Sequence, residues 1–299
     1  MLDVHRLRLL RELHRRGTLA AVASALSYSP SAVSQQLSQL EAEAGVPLLE
    51  KRGRGVTLTA AARLLVEHAD VVLAQLERAE ADLAALSGEA VGTLRVASFQ
   101  SVLFALVPGA LTLLAARYPA LRVVLEHREP EPAFSALAAH EVDLVLGEEY
   151  PGLPQARRAD VEEEDLVLDE LRLAVPTTGP WSSARRLEDL AQASWVLEPP
   201  GTDPGRWSVT RCRQAGFEPD ARVRTPDVLL HLHLVETGHA VALLPDLVRS
   251  GRGADVRIVD LPDHPSRRLF TGVRRGAAGR PAVRAFRSAL RQVAAGGSG

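Results

Sequence analysis

A short row of amide and hydroxyl side chains is the first group in the sequence that is suited to recognising a ligand. Ser31, Ser34, Gln35 and Ser38 are spaced so that they share one face of a helix. Short, uncharged side chains of this kind fit the major groove of DNA, where Gln makes a bidentate contact with adenine. A merely solvated helix face has the same composition, so the row alone leaves two interpretations.

The helix that carries this row has boundaries in the sequence. Ser29 is a natural N-cap, Pro30 suits the first helical position, and Gly45 suits the C-terminal cap. Residues 4–13 and 20–26 have the apolar periodicity of two earlier helices. Three short helices in this order predict a helix-turn-helix whose third helix enters the major groove. The apolar stripe opposite the polar row consists of Val33, Leu37, Leu40 and Ala44.

A basic turn follows the third helix and favours the nucleic-acid interpretation. Residues 46–58 have the composition of a loop and short hairpin that carries Lys51, Arg52 and Arg54. Cationic side chains on such a wing suit contacts with phosphate oxygens. Eight basic and five acidic side chains give residues 1–58 a net charge of +3, although the whole chain carries −2.

Residues 59–88 predict one long helix with a narrow apolar stripe. Its apolar residues repeat alternately every four and every three positions, which is the spacing of a coiled-coil seam. The stripe either pairs with a second copy or packs on the chain's own core. A dimer is favoured because a twofold protein matches a palindromic DNA site. The predicted seam consists of Leu65, Ala69, Val72, Leu76, Ala79, Leu83 and Leu86.

From residue 93 to about residue 293, strand patterns alternate with helix patterns. This alternation predicts open, mainly parallel sheets with helices on both faces. Such sheets bind ligands beyond the carboxyl ends of their strands, where helix N-termini begin. The residues predicted at these places, and therefore the candidate ligand-binding residues, are Phe99, Gln100, Ser101, Arg128, Glu148, Gly201, Thr202 and Asp227.

Two charged members of this set favour opposite ligands. Arg128 is suited to a carboxylate, whereas Glu148 is suited to an amine, so the sequence leaves the charge of the ligand open. The hydroxyl residues Ser101 and Thr202 also have an interpretation as simple helix caps.

The N-terminal 64 residues resemble the winged helix of the LysR-type transcriptional regulators. The resemblance implies that Pro30, Ser31, Ser34 and Gln35 contact DNA, together with the wing arginines. Its matching residues are Gly17, Thr18, Ala21, Ala23, Leu26, Ser29, Val33, Ser34, Gln36, Leu37, Leu40, Glu41, Gly45, Leu48, Leu49, Arg52, Leu58, Thr59 and Ala61.

The remainder of the chain resembles the LysR-type effector domain, which is similar in fold to periplasmic binding proteins. The matching pieces are 94–96, Tyr118 with Pro119, 142–145 and 238–245. The resemblance implies an α/β fold with an all-α N-terminal part and two Rossmann-like subdomains on either side of a cleft. The implied boundaries are 1–58 for the winged helix-turn-helix, 59–88 for the linker and dimerisation helix, and 92–295 for the effector-binding domain, with subdomains 92–160 plus 268–295 and 163–264.

The same resemblance implies a regulator that binds double-stranded promoter DNA and is controlled by a small-molecule effector in the cleft. RNA polymerase and further copies of the chain, as a homodimer or homotetramer, are the other implied partners. No cofactor is expected. The effector itself, the operator sequence and the direction of regulation have no signature in the residues.

Composition limits the other classes of function. The 299 residues are 46% hydrophobic and 24% charged, which is enough for a folded core. No apolar run approaches the roughly 20 residues of a membrane span, and no export signal is evident, so a cytoplasmic protein without a membrane partner is expected. Cys212 is the only cysteine, which excludes an intramolecular disulfide and leaves a redox role without a partner thiol.

The sequence contains little evidence for a metal site or for a catalytic site. His231, His233 and Glu236 resemble a ligand set, but a two-residue step places the two imidazoles about 200° apart around a helix, so no metal site is expected. The chain has no Gly-x-Ser-x-Gly elbow, Walker loop or zinc-protease motif, and an enzyme is not expected. The remaining alternative is a plain solute-binding protein, which would not retard DNA in a gel.

Overall fold

Three structural parts follow one another along the chain in the computed structural model, which describes residues 1–26, 28–52, 55–86, 88–249 and 255–296. A small helical part comes first, a single long helix follows, and an α/β part contains the rest.

The first part is a winged helix. It consists of three helices and an antiparallel strand pair, in the order α1 (Val4–Arg16), α2 (Leu19–Ala25), α3 (Pro30–Ala44), β1 (Leu49–Arg52) and β2 (Gly55–Leu58). The buried faces of the three helices form one apolar core. Burying this core orients α3, because only one face of that helix is apolar.

The caps of α3 explain its bounds. The Ser29 hydroxyl accepts a hydrogen bond from the backbone N–H of Ala32 at 3.1 Å, and Pro30 occupies the first turn. Gly45 ends the helix with a φ of 71°, a left-handed conformation that glycine adopts without steric strain.

The long helix α4 (Ala60–Leu86) contacts both flanking parts of the chain. Its first turns pack on the winged-helix core, and this corrects part of the predicted seam. Ala69 has no exposed surface, and Leu65 is half-buried against the same core. The chain's own core therefore covers the beginning of the stripe. No helix among the described ranges combines the length and the apolarity needed to cross a bilayer.

The α/β part begins with three strands and the helices between them. In chain order these are β3 (Gly92–Ser98), α5 (Gln100–Ala105), α6 (Val107–Arg117), β4 (Leu121–His127), α7 (Pro130–Ala138) and β5 (Leu144–Glu149). The long strand β6 (Val161–Pro176) then leaves this first subdomain and enters the second.

The second subdomain follows, and the chain then returns to the first. Its elements are β7 (Ser194–Leu197), α8 (Asp203–Gln214), β8 (Asp220–Arg224), α9 (Val228–Glu236), β9 (Ala242–Pro245) and β10 (Val256–Val259). Strand β11 (Ser266–Arg274) leads back, and α10 (Pro281–Gly296) closes the first subdomain.

The sheet is mixed, whereas the sequence pattern predicted mainly parallel strands. β3 pairs in parallel with β4 and β5, but β6 and β11 pair antiparallel with each other and with their other neighbours. The antiparallel pairs arise because β6 and β11 carry the chain in opposite directions between the subdomains. The acidic segment 162–165 lies in the first half of β6 and pairs with β11.

Some predicted elements differ from those found. The sequence pattern did not separate the two helices between β3 and β4, α5 and α6, which meet at Leu106 before Pro108. Helix α8 and strand β8 were missed, since their many charged residues hide the apolar periodicity.

Candidate functional site

The exposed face of α3 carries the predicted amide and hydroxyl row. Pro30, Ser31, Gln35 and Ser38 are exposed, and Ser34 is half-buried. The opposite stripe of the helix is buried in the winged-helix core. The row therefore lies at the surface of a helix whose orientation is fixed by packing.

Two neighbouring glutamines on α3 have different surroundings. Gln36 accepts a hydrogen bond from Arg6 Nε at 3.0 Å, and Arg6 also pairs with Glu43, so these contacts tie α1 to α3. Gln39 is exposed one turn after Gln35 and extends the polar face. The sequence analysis omitted Gln39, although its four-residue step from Gln35 was the available signal.

The wing is anchored to the end of α3. Glu41 accepts hydrogen bonds from the backbone N–H groups of Leu48 and Leu49 at 2.8 and 2.9 Å, which fixes the start of β1. Arg52, at the end of β1, is exposed. Arg54 lies outside the described residues.

The winged helix and α4 contact the α/β part through ion pairs. On α1, Arg15 lies 2.5 Å from Asp160, just before β6. On α4, Glu77 is buried and accepts a hydrogen bond from Arg274 of β11 at 2.7 Å. These contacts join the helical parts to the first subdomain.

A cleft lies between the two subdomains. Its inner cavity has a volume of about 30 Å³, and a groove of about 770 Å³ adjoins it. Residues from both subdomains line this space, and four of them line the cavity and the groove together. These four are Glu129, Glu148, Glu198 and Pro204.

The floor of the cleft is a buried guanidinium. Arg267 donates hydrogen bonds to Asp169 at 2.6 and 2.9 Å, to Glu148 at 2.7 Å and to Ser101 at 2.9 Å. Burial raises the pKa of Glu148 and of Asp169, and the Arg267 charge opposes this rise. The network joins both crossover strands, β6 and β11, to β5 and α5.

Comparison with known proteins identifies both parts of the chain. Residues 4–63 match the model of the bacterial regulatory helix-turn-helix protein of the lysR family, and residues 87–295 match the LysR substrate binding domain. The chain belongs to the LysR family of transcriptional regulators. It is a DNA-binding regulator whose α/β part is the effector domain.

Individual relatives agree with this assignment. The chain is 29% identical to the regulator TcbR of Pseudomonas sp. over 80% of this chain and 81% of that one. It is 25% identical to the dual regulator GltC of Bacillus subtilis over 82% and 81%. Full-length OxyR from Pseudomonas aeruginosa, a variant protein, shares the fold with a TM-score of 0.63, 19% identity and coverage of 97% and 95%.

Two candidate effector residues of this LysR-family chain meet across the cleft. Gln100 of the first subdomain donates to Asp227 Oδ1 at 3.0 Å and accepts from the Val228 N–H at 2.9 Å. Asp227 also caps α9 of the second subdomain. Gln100 therefore bridges the subdomains directly.

Most other candidates line the cleft, with mixed roles. Phe99 lies in the cavity wall, and Gly201 lies in the groove wall. The Thr202 hydroxyl accepts from the Gly205 N–H at 3.2 Å, so the helix-cap interpretation is right for Thr202. The Ser101 hydroxyl instead receives the hydrogen bond from Arg267.

The structure places Arg128 outside the cavity and the groove, unlike the charged candidate Glu148. Arg128 pairs with Glu126 at 2.7 Å and with Glu141 at 2.9 Å. Arg128 follows β4, which is the edge strand of the sheet, whereas the cleft opens beside β3 and β5.

Glu198 is a cleft residue that the sequence analysis missed. It directly follows β7, so the rule that ligands bind beyond strand ends was the available signal. Burial raises its pKa to about 8, and the neighbouring charges of Glu148 and Glu129 add to this rise. Tyr150, Trp207 and Arg267 were also missed.

The weaker sequence signals have structural explanations. Cys212 is fully buried, and burial raises its pKa to about 12, so the thiol stays protonated and unreactive at neutral pH. The buried His231 ring bonds the Thr225 carbonyl, whereas His233 is on an exposed side of α9. Within the described ranges, no three His, Cys, Asp or Glu side chains form a metal-binding group.

Arg267→Met should destabilise the folded chain by about 3 to 5 kcal/mol, because Glu148 and Asp169 would remain buried without their counter-charge. Urea unfolding measures this change. Arg213→Met is the matched control, since Arg213 forms an exposed pair with Glu218 and its loss should cost at most about 1 kcal/mol. Equal free energies of unfolding for the two variants would contradict the role of Arg267.

The stability of the wild type relative to the Glu198→Gln variant should fall as pH rises from about 4.5 to about 8. In this window the folded state keeps a proton on Glu198 that the unfolded state releases, so the unfolded state gains relative stability. Glu198→Gln should remove this contribution and be more stable than wild type above pH 8, as measured by urea unfolding across pH. Glu131→Gln, at an exposed groove position, serves as the control. A stability difference between wild type and Glu198→Gln that stays constant across this pH range would refute the assignment.

Proposed function

We propose that this LysR-family regulator works as a dimer, or a dimer of dimers, that binds a partly palindromic promoter site in the cytoplasm. A metabolite in the cleft changes how the bound protein contacts RNA polymerase. The protein acts by binding and not by catalysis. The observation that carries this proposal is the exposed polar row of α3 above a buried apolar stripe.

Side-chain chemistry assigns different DNA contacts to the α3 row and to the wing. Ser31, Ser34, Gln35 and Ser38 provide hydrogen-bonding groups that can read base edges in the major groove. Arg52 provides a cation near phosphates, and Arg54 belongs to the same proposal. Arg52 stands on a strand fixed to α3 by Glu41, so wing and helix approach the duplex as one unit.

The exposed part of the α4 stripe supports self-association. Leu83 and Leu86 are 69% and 84% exposed, and Val72, Leu76 and Ala79 are also exposed. An apolar stripe of this length on a solvated helix is typical of an interface with another helix. Leu64 and Val71 join the stripe in place of the buried Ala69 and of Leu65.

Control by an effector requires two arrangements that bind it unequally, since equal affinity shifts no population. The Gln100 bridge to Asp227 and Val228 lies on the cleft and gives the closed arrangement specific contacts. At the far end of β11, Arg274 contacts α4 through Glu77. A ligand that changes the cleft therefore acts on a strand that also contacts the dimerisation helix.

Gln35→Ala should cost about 1 to 3 kcal/mol of binding at one base position and relax the base preference there. Arg52→Ala should instead weaken all sequences alike and reduce the salt slope by about one unit. Fluorescence anisotropy with operator variants at several salt concentrations separates the two effects. Identical base preferences for wild type and Gln35→Ala would remove Gln35 from the interface.

Replacing Leu83 and Leu86 by Glu should raise the dimer dissociation constant at least about tenfold for each residue, because buried leucine surface is exchanged for charge. Analytical ultracentrifugation measures the constant. Leu113→Glu is the control, since Leu113 is an exposed leucine on α6, away from the stripe. An unchanged dimer in the double variant would refute the α4 interface.

A further inference from the structure

The arginines of the cleft are not available to an anionic ligand. Each arginine that lines the described cavity or groove is already paired with one or two carboxylates. The pairs are Arg267 with Glu148 and Asp169, Arg158 with Glu131, and Arg206 with Asp203. An anion entering the cleft would have to compete with these carboxylates for the arginines.

Glu198 differs from these arginines, because no oppositely charged side chain of the described residues pairs with it. It lines the cavity and the groove, and no lysine, arginine or histidine of the described residues lies within ion-pair distance of it. Glu129 and Glu148 line the same space. Arg267 shares its single charge between Glu148 and Asp169, so no arginine charge remains to pair with Glu198.

Two buried hydroxyls in the cavity wall lack partners. Tyr150 is 4% exposed and Ser208 is 7% exposed, and both line the cavity. Neither hydroxyl forms a hydrogen bond with another described residue. Neither hydroxyl oxygen is among the fully buried atoms without a partner in the described residues, so both keep accessible surface in the wall of the cavity.

The wall beside these groups is aromatic. The rings of Tyr150 and Trp207 lie with their centroids 5.9 Å apart, and Phe99 lines the same cavity. Aromatic faces attract organic cations and repel anions, because the ring quadrupole is negative at its face.

We propose that the effector carries a protonated amine, which enters the cavity of about 30 Å³ and binds Glu198 together with the Tyr150 and Ser208 hydroxyls, while the body of the effector lies in the adjoining groove. An ammonium group has three donors, and a carboxylate with two hydroxyl oxygens supplies three acceptors. This inference rests on the proposed effector function and names the chemical class of the effector.

The protonation of Glu198 agrees with this chemistry. Burial and the charges of Glu148 and Glu129 raise its pKa to about 8, so much of it is protonated at neutral pH. A cation bound beside it lowers that pKa. Binding at pH 7 should therefore release a proton to the buffer, whereas an anion would cause none of this release.

The experiment uses the full-length chain and two matched pairs of probes. Benzylamine is compared with benzoate, and putrescine with succinate, by thermal shift and by calorimetric titration in two buffers of different ionisation enthalpy. The amines should raise the melting temperature and release protons, and the carboxylates should do neither. Glu198→Gln should weaken amine binding about tenfold or more, the value of one charged hydrogen bond. Glu218→Gln, at an exposed position outside the cleft, should bind amines like wild type.

The opposite results overturn the inference. These are tighter binding of the carboxylates, amine affinity that Glu198→Gln leaves intact, or no binding of either amine. A separate gel shift with promoter DNA tests the proposed function. If a carboxylate bound and changed the gel shift of promoter DNA, the effector function would stand and the amine would be rejected as its ligand class. Loss of DNA binding with intact amine affinity would reject the regulator mechanism and keep the ligand class.

Discussion

The structure of the cleft depends on the buried charge of Arg267. A guanidinium cannot leave water without partners, because an isolated buried charge is far less stable than a solvated one. Asp169, Glu148 and Ser101 supply these partners from β6, β5 and α5. One side chain thereby fixes the point where the crossover strands meet the first subdomain. The same pairing consumes the cation that a ligand of the cleft would otherwise find.

Strand β11 connects this buried network to the helical half of the molecule. Arg267 lies near its start, and Arg274 lies at its end, where it contacts Glu77 of α4 and the carbonyls of Leu137 and Val142. The strand is hydrogen-bonded to β5 on one side and to β6 on the other, with a register shift against β6 between Leu269 and Phe270. The cleft floor and the helix on which the dimer seam is proposed therefore contact the same strand.

Features specified by nearby residues were predicted from the sequence. The bounds of α3 follow from Ser29, Pro30 and Gly45, and its exposed row follows from helical periodicity. The spacing of the α4 stripe was predicted, but the surface that its first residues pack against was not. Periodicity shows that Ala69 lies on an apolar stripe, yet only the fold shows that the winged-helix core covers it. The mixed sheet was missed for the same reason, because strand direction depends on how the chain crosses between subdomains.

The residues of the cleft could not be identified by rules that use only neighbouring residues in the sequence. Arg128 and Glu198 both follow a strand, but β4 is at the sheet edge, whereas β7 ends at the cleft. The strand-end rule cannot distinguish these positions without the strand order. Arg267 has a further difficulty, since its carboxylate partners are 98 and 119 residues away in sequence. The sequence alone does not distinguish Arg267 from a solvated arginine. Arg267 lies at the floor of the cavity because strands that are distant in sequence pair with one another. Because Arg267 is neutralised, Glu198 is the carboxyl group without a basic partner among the described residues that a ligand of the cleft would meet.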